Sequence, residues 1–377
     1  MTFSDAELER YSRHLLLAEV GRAGQEKLRA ARVLIVGAGG LGSPAALYLA
    51  ACGIGTLGIV DFDQVELSNL QRQVVFSTED LARPKAVAAG RRLSTLNSEI
   101  TVVTHALELR AENVGAIFGQ YDLVVDGTDR LSTRYLVNDA CVILGKPLVS
   151  AAIHRFEGQA MTYVPGRGPC YRCLFPDATT AAVPSCSEAG VLGVLPGVLG
   201  AIQATEAIKL ILGQGELLVG RLLTYDALEM RFREFSFERR ANCAVCGDEP
   251  RITLPLDLAA TCHEEPVAFR RLRPRELNAL LQDSQLGGPA VRLIDVREPA
   301  EYAAGHLAGA ESLPLAELER TEWESTAIGE TVFLCRSGAR SARACAIASR
   351  HGLRKPSHLE GGLIAWAAAI DPMLHVA

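Results

Sequence analysis

The chain has no basic excess, no long apolar run and no internal repeat, and each absence removes a class of protein. Lys and Arg number 38 against 44 Asp and Glu, a net charge of -6. A dedicated nucleic-acid binder shows the opposite balance, so no nucleic-acid partner is expected, although a local basic site stays compatible with that total. No uninterrupted apolar run approaches the ~18 residues of a membrane span, and no membrane partner is expected. The opening stretch MTFSDAELERYSRH is polar and lacks the apolar centre of a secretory leader, which makes the cytoplasm the expected compartment. Disulfides are rare there, so the ten cysteines are expected as metal ligands or reactive thiols. What is present is an ordinary globular composition, 49% hydrophobic and 22% charged, in a 377-residue chain long enough for two or three domains.

Apolar spacing predicts helix over residues 1–30, broken at Gly21, then a short buried strand at Val33–Val36. A helix at Pro44–Cys52, a strand at Ile59–Asp61 and a Pro-led helix at Pro84–Leu96 follow. Strands at Thr101–Thr104 and Leu123–Asp126 and a helix at Leu131–Leu144 complete an alternation that predicts an α/β fold with a Rossmann-like, doubly wound parallel sheet. Periodicity fades in DEPRITLPLDLAATCHEEP. The expected layout is therefore a domain at 1–250, a linker at 251–267 and a smaller α/β domain at 268–377. In the latter, helices are predicted at Arg273–Leu281 and Ser341–His351, and strands at Val291–Val296 and Thr331–Cys335.

Gly37-Ala38-Gly39-Gly40-Leu41-Gly42 fits GxGxxG between strand and helix. Glycines permit the tight turn and close approach of phosphate to the backbone, and the helix N-terminus offers free N–H groups and a positive dipole end. Asp61, ending the next strand, is placed to bond a ribose hydroxyl. That fingerprint by itself says adenine nucleotide, with NAD or FAD the common occupants. The residues after it, Ser68-Asn69-Leu70-Gln71-Arg72-Gln73 and then Lys85, are polar or cationic. A dinucleotide is held largely by backbone groups, whereas a triphosphate and a leaving pyrophosphate need cations. Asp129, in the strand-end run Asp126-Gly127-Thr128-Asp129, is placed to hold Mg²⁺. Each residue also has a plainer reading: a solvated Lys85, a surface Arg72, a helix cap at Asp129. Their clustering beside one glycine loop favours the functional one.

Residues 9–247 resemble the bacterial molybdopterin-synthase and thiamine-biosynthesis adenylyltransferases, relatives of the ubiquitin-activating enzymes. The matching stretches are ERYSRHLLL, VLIVGAGGLGSPAALYLA, VDFDQVELSNLQRQ, RPKA, DGTD, PCYRC, AGVLGVLPGVLGAIQATEAIK and CAVCG. The resemblance implies ATP-dependent adenylylation of the C-terminal glycine of a ubiquitin-like sulfur carrier ending in Gly-Gly. It implies an ATP site of Gly40, Asp61, Ser68, Asn69, Arg72, Lys85 and Asp129, with Gly37, Gly39, Gly42, Leu70, Gln71 and Arg130 beside it. It also implies a homodimer in which Arg13 reaches the partner subunit's ATP. The family usually has Asn where this chain has Arg130. A side-chain contact to the nucleotide at that position therefore does not follow from the resemblance.

Cys170-Tyr171-Arg172-Cys173 and Cys243-Ala244-Val245-Cys246 are two CxxC pairs. Two such pairs can close a Cys₄ shell around one tetrahedral ion with no open position, which points to structural Zn²⁺; redox dithiols or unbound thiols are the plain alternative. The resembling family carries zinc on matching cysteines. Between the pairs, Cys186 is either a bystander or, as in some relatives, a thioester or disulfide partner.

In the last third, Cys335-Arg336-Ser337-Gly338-Ala339-Arg340-Ser341 follows a predicted strand and precedes a helix. Converging backbone N–H groups there stabilise a thiolate or persulfide, and the two arginines add positive charge. A buried structural thiol is the plain reading. A phosphatase loop is the rival, but it places Arg six residues after Cys, and Arg340 is five on. The shorter loop suits one sulfur atom. Residues 268–377 resemble a rhodanese domain on LIDVRE, EYAAGHLAGA, CRSGARS and HLEGGLIAW. That resemblance implies a sulfurtransferase with a persulfide on Cys335, fed by thiosulfate or a cysteine desulfurase; Asp295 and Arg297 shape the domain.

The expected function joins the two halves: carrier adenylylation, then sulfur transfer from the Cys335 persulfide to give a thiocarboxylate. The carrier would serve molybdopterin, thiamine, cysteine or tRNA-thiolation pathways. The rivals are an NAD-dependent oxidoreductase with an appended rhodanese and a zinc-dependent docking protein without activity.

Overall fold

Short runs of β-branched and aliphatic residues, buried on both faces, build the centre of the first unit. The computed structural model describes residues 3–176, 190–257, 269–318, 321, 323 and 329–376, and the chain divides into units Met1–Thr261 and Cys262–Ala377. The N-terminal segment forms three helices, α1 (Asp5–Arg10), α2 (Ser12–Leu15) and α3 (Gly21–Ala30); the break expected at Gly21 falls before it, at residues 16–20, and Gly21 itself opens α3. Strands β1 (Arg32–Val36), β2 (Thr56–Val60), β3 (Thr101–His105), β4 (Leu123–Asp126) and β5 (Leu148–His154) pair in parallel in the order β3-β2-β1-β4-β5. Alternation along β1 sends Val33 and Ile35 to one core and Leu34 and Val36 to the other. Helices α4 (Gly42–Ala51) and α5 (Lys85–Leu96) supply buried residues to the first core. Helices α6 (Ala111–Phe118) and α7 (Leu131–Ile143) supply them to the second. This is the doubly wound arrangement.

The sheet then changes character. β6 (Glu157–Tyr163), β7 (Arg221–Asp226) and β8 (Arg231–Ser236) add antiparallel strands to give eight in all, ordered β3-β2-β1-β4-β5-β6-β7-β8. Tight turns join β5 to β6 and β7 to β8, with Arg155 at φ 53° and Met230 at φ 51°, and a turn that short permits only antiparallel neighbours. After the small helix α8 (Tyr171–Leu174), α9 (Leu195–Leu212) is long and apolar enough by length and composition to cross a membrane. Here it lies against α4, β5 and β6. Its buried Gln203 donates to the Asp126 carbonyl at 2.6 Å, and its buried Glu206 accepts from Thr162 Oγ1 and Leu218 N, each at 2.7 Å. It is the core helix of the unit.

The second unit is a five-stranded parallel sheet, order β11-β10-β12-β13-β9. Its elements are β9 (Arg270–Leu272), α10 (Pro274–Gln285), β10 (Val291–Asp295), α11 (Pro299–Ala304), β11 (Ala310–Ser312), β12 (Glu330–Leu334), α12 (Ala339–Arg350), β13 (Ser357–Leu359) and α13 (Gly362–Ala369). Most of the expected linker, residues 258–267, lies outside the described residues.

Candidate functional site

A cleft of about 860 Å³ opens over the C-terminal ends of β1, β2 and β4, where a doubly wound sheet binds ligands. Gly37, Gly39, Gly40, Asp61, Arg72, Lys85, Asp129 and Arg130 all line it. Gly37 has φ 89°, and a Cβ there would stand 3.0 Å from the Gly127 carbonyl oxygen, so the turn out of β1 needs glycine. Asp61 accepts from Ala38 N at 2.8 Å and Asp63 N at 2.9 Å and so ties the loop to β2. Burial pushes its carboxyl above the usual carboxylate range, against the pull of Lys85 and the two amides.

The cations sit beside the loop. Lys85 opens α5 with its side chain 8% exposed, and its Nζ lies 3.2 Å from Asp63 Oδ2. The Arg72 guanidinium donates to the Ser68 carbonyl at 3.0 Å. Of the two acids after β4, Asp126 is fully buried and committed: it accepts from Thr128 N and Oγ1 and from Ser150 Oγ, and pairs with Arg134 at 3.5 Å. Asp129 is exposed to the cleft. Arg130 stacks on Phe62, 4.6 Å from its ring centre, and faces Glu108 at 3.6 Å.

Other residues named from the sequence stand apart from the lining. Gly42 begins α4 behind the loop. Ser68 and Asn69 belong to a 3₁₀ turn whose polar atoms bond Glu66, Leu70 packs against the core, and Gln71 is exposed beside Gly193. Arg13 is exposed on α2, outside its own chain's cleft, next to Leu16 (76% exposed) and Leu17 (51%). Cys186 lies outside the described residues.

The structure also adds lining residues that the sequence did not reveal. Asp63 and buried Gln73 flank the cations, and Gln159, Arg231 and Arg233 come from the antiparallel strands. Gln73 adjoins Arg72 in the motif already singled out. The strand residues carry no local signal, because β6–β8 were not legible as strands.

In the same unit the four CxxC sulfurs gather, all within 4.8 Å of one another. Cys170 Sγ is 3.7 Å from Cys243 Sγ, and Cys173 Sγ is 3.4 Å from Cys246 Sγ. Tetrahedral thiolates at a zinc–sulfur distance of about 2.3 Å stand roughly 3.8 Å apart, so the geometry fits one ion. No disulfide joins these cysteines. Arg240 N donates to Cys173 Sγ at 3.5 Å, and Arg172, between the first pair, is clamped by Asp139 through two 2.7 Å bonds.

In the second unit Cys335 is buried at the end of β12. Gly338 N and Ser341 N donate to its sulfur at 3.1 and 3.3 Å. Gly338 has φ 96°, which turns its amide inward at the start of α12. The loop's outward carbonyls are occupied: Cys335 O and Arg336 O accept from Leu363 N and Ile364 N of α13. Arg340 is held by Glu301 through bonds of 2.6 and 2.7 Å, and Arg336 is exposed. Asp295 and Arg297 form a fully buried pair at 2.8 Å.

Residues 11–245 match the ThiF family and residues 274–369 the rhodanese-like domain. Over 98% of its length the chain is 43% identical to 95% of the probable adenylyltransferase/sulfurtransferase MoeZ of Mycobacterium tuberculosis. Over 70% of its length it is 51% identical to 99% of the sulfur carrier protein adenylyltransferase of Thermus thermophilus. The crystal structure of E. coli MccB with AMPCPP and selenomethionine MccA superposes with a TM-score of 0.56 at 27% identity, covering 65% of this chain and 75% of that one.

Proposed function

The chain belongs to the ThiF family and continues into a rhodanese-like domain, and from that premise we propose how its residues divide the work of a sulfur-carrier adenylyltransferase and sulfurtransferase. In the first unit the C-terminal glycine carboxylate of a ubiquitin-like carrier attacks the α-phosphorus of ATP. A new P–O bond forms, the bond to pyrophosphate breaks, and the carrier becomes an acyl-adenylate. No protein nucleophile is needed; positioning and charge neutralisation carry the step. Asp61 takes the ribose, the loop takes the phosphates, and Lys85 exchanges Asp63 for a phosphate oxygen beside Arg72. Asp129 would hold Mg²⁺, which would supply charge neutralisation for the leaving pyrophosphate. β6–β8 line one side of the cleft, and the extended Gly-Gly tail is placed against them.

Cys170, Cys173, Cys243 and Cys246, whose sulfurs all lie within 4.8 Å of one another, would hold a structural Zn²⁺. In the second unit the Cys335 thiolate attacks the outer sulfur of thiosulfate, an S–S bond forms and sulfite leaves; a cysteine desulfurase is the protein alternative. The persulfide then attacks the acyl-adenylate carbonyl and AMP leaves, giving an acyl disulfide. A second thiol, for which Cys186 is the candidate, displaces the thiocarboxylate and is left in a disulfide with Cys335. Thiolate ligands and a persulfide both need reduced cysteines, which fits a cytoplasmic setting.

The observation that carries the first step is the meeting of Arg72, Lys85 and Asp129 beside the glycine loop in one cleft. The test is isotope exchange between pyrophosphate and ATP with a Gly-Gly carrier present. Absence of carrier-dependent exchange sinks it. The homodimer rests on exposed Arg13 near the exposed Leu16 and Leu17. Mixed subunits, one Arg13→Ala and one Asp129→Ala, should regain exchange that neither variant shows alone; failure of a demonstrated mixed dimer to do so removes the shared site.

A further inference from the structure

Behind the Cys335 loop lies a buried histidine with no part in the steps above. His358, in β13, is covered edge-on by Phe269 at a ring distance of 5.4 Å. Its Nδ1 stands 3.3 Å from Ser341 Oγ, and its Nε2 has no hydrogen-bond partner among the described residues. The same Ser341 Oγ is 3.4 Å from Cys335 Sγ and 3.0 Å from the Gly338 carbonyl oxygen. Three elements thus converge on one buried hydroxyl: the end of β12, the first turn of α12, and β13.

We propose that His358 is a positioning residue for the sulfur chemistry, its Nδ1–H holding the Ser341 oxygen so that the hydroxyl proton can swing from the Gly338 carbonyl to the Cys335 sulfur. The inference rests on Cys335 being the sulfur carrier. A hydroxyl has one proton and two lone pairs. While Cys335 is a thiol, its S–H and the imidazole N–H occupy the lone pairs of Ser341, and the hydroxyl donates to Gly338 O. Once the sulfur is a thiolate or persulfide anion it needs donors, and the hydroxyl becomes the third beside Gly338 N and Ser341 N. The Gly338 carbonyl is not left an orphan, because the Ala342 amide still donates to it at 3.1 Å. An apolar residue at 358 could not hold the Ser341 oxygen.

His358 acts as a neutral dipole. Burial pushes its pKa below the usual imidazole range, and Arg271 of β9 pushes the same way against Glu360. The charged group facing Cys335 is Arg340 of α12, already bound by Glu301 of α11, with Asp295 of β10 facing Arg340; Arg336, next in the loop, is exposed.

The experiment follows iodoacetamide alkylation of Cys335 against pH in the full-length protein, read by peptide mass spectrometry. His358→Phe and Ser341→Ala should each raise the alkylation midpoint by about one pH unit and slow sulfur transfer from thiosulfate to cyanide at pH 7 about tenfold. The double variant should shift no further than either single one. His358→Asn, whose amide can reach the place of Nδ1, should return the midpoint toward wild type. An unchanged midpoint in a His358→Phe protein with wild-type melting temperature overturns the proposal, as do additive shifts in the double variant. If His358→Phe does not fold, an unchanged midpoint in Ser341→Ala overturns it equally. Sulfur transfer persisting in Cys335→Ala would instead remove the carrier assignment, an outcome the alkylation profiles do not mimic.

Discussion

The chain builds the same backbone device twice. In the first unit β1 runs into a glycine at φ 89° and then α4; in the second β12 runs into Cys335, a glycine at φ 96° and then α12. Both loops aim backbone N–H groups into a space at a helix N-terminus. The first stays open, lined by a cleft of about 860 Å³ with Arg72, Lys85 and Asp129 around it. The second closes on a single sulfur at 3.1 and 3.3 Å. Where the substrate brings its own nucleophile, the protein supplies space and charge. Where the protein must be the nucleophile, it supplies a sulfur and shrinks the cradle around it.

The sharpest break of this comparison is Cys335→Ala. Sulfur transfer should vanish while carrier-dependent pyrophosphate exchange stays at the wild-type rate; thiocarboxylate still formed at the normal rate would mean another thiol carries the sulfur. Next come the cleft charges. Asp129→Ala should abolish adenylylation, and Arg72→Ala and Lys85→Ala should each lose about 3 kcal/mol of transition-state stabilisation, roughly a hundredfold or more in turnover, with smaller effects on ATP binding. Persulfide loading of Cys335 should be untouched in all three, and a parallel loss would mean the two cradles are not separate.

Metal removal should distinguish the units by stability. Metal analysis should find about one zinc per chain. Stripping it should lower the melting of the first unit by about 10 °C or more, because structural zinc contributes folding free energy. The only two tryptophans, Trp323 and Trp366, lie in the second unit, so their fluorescence transition should stay in place. A chain purified without chelators that contains no zinc would remove the site.

The smallest effect is on acid stability, and it has opposite signs in the two cradles. Burial raises the Asp61 pKa, so the folded state takes up protons before the unfolded one, and acidification favours folding at that group. For Glu301 burial also raises the pKa, but the bonds from Arg340 and the Glu298 amide outweigh it and the net value is depressed. Its stabilisation is present above the usual carboxylate value near 4.5 and is lost as pH falls through the lower folded value. Glu301→Gln should therefore flatten the acid limb of the tryptophan-monitored unfolding curve; an unaltered limb would show that the Arg340 clamp carries no such linkage.

Much of this was legible along the chain because it is local. A strand, a glycine turn and a helix N-terminus are consecutive residues, so GAGGLG and CRSGARS announce their cradles without knowledge of any neighbour. The CxxC pairs are legible for the same reason, since two residues between cysteines let both sulfurs reach one ion. The antiparallel wall was not legible: EGQAMTY, mostly buried, and RFREFS, exposed along its whole length, each mix polar and apolar residues, and neither the buried-run pattern nor the helical period applies.

The sequence by itself determined which chemistries the chain can carry: a phosphate loop, four metal-ready thiols and a cradled cysteine, each made by neighbours in the chain. Only the tertiary structure decided which distant groups serve them. The order β3-β2-β1-β4-β5 brings Lys85 and Asp129 to the mouth of the Gly37 loop. The pairing of β12 with β13 sets His358 behind Cys335, and α11 brings Glu301 to Arg340. Such pairs are chosen by which strands adjoin and which faces are buried. That is a property of the whole packed sheet, and no run of consecutive residues encodes it.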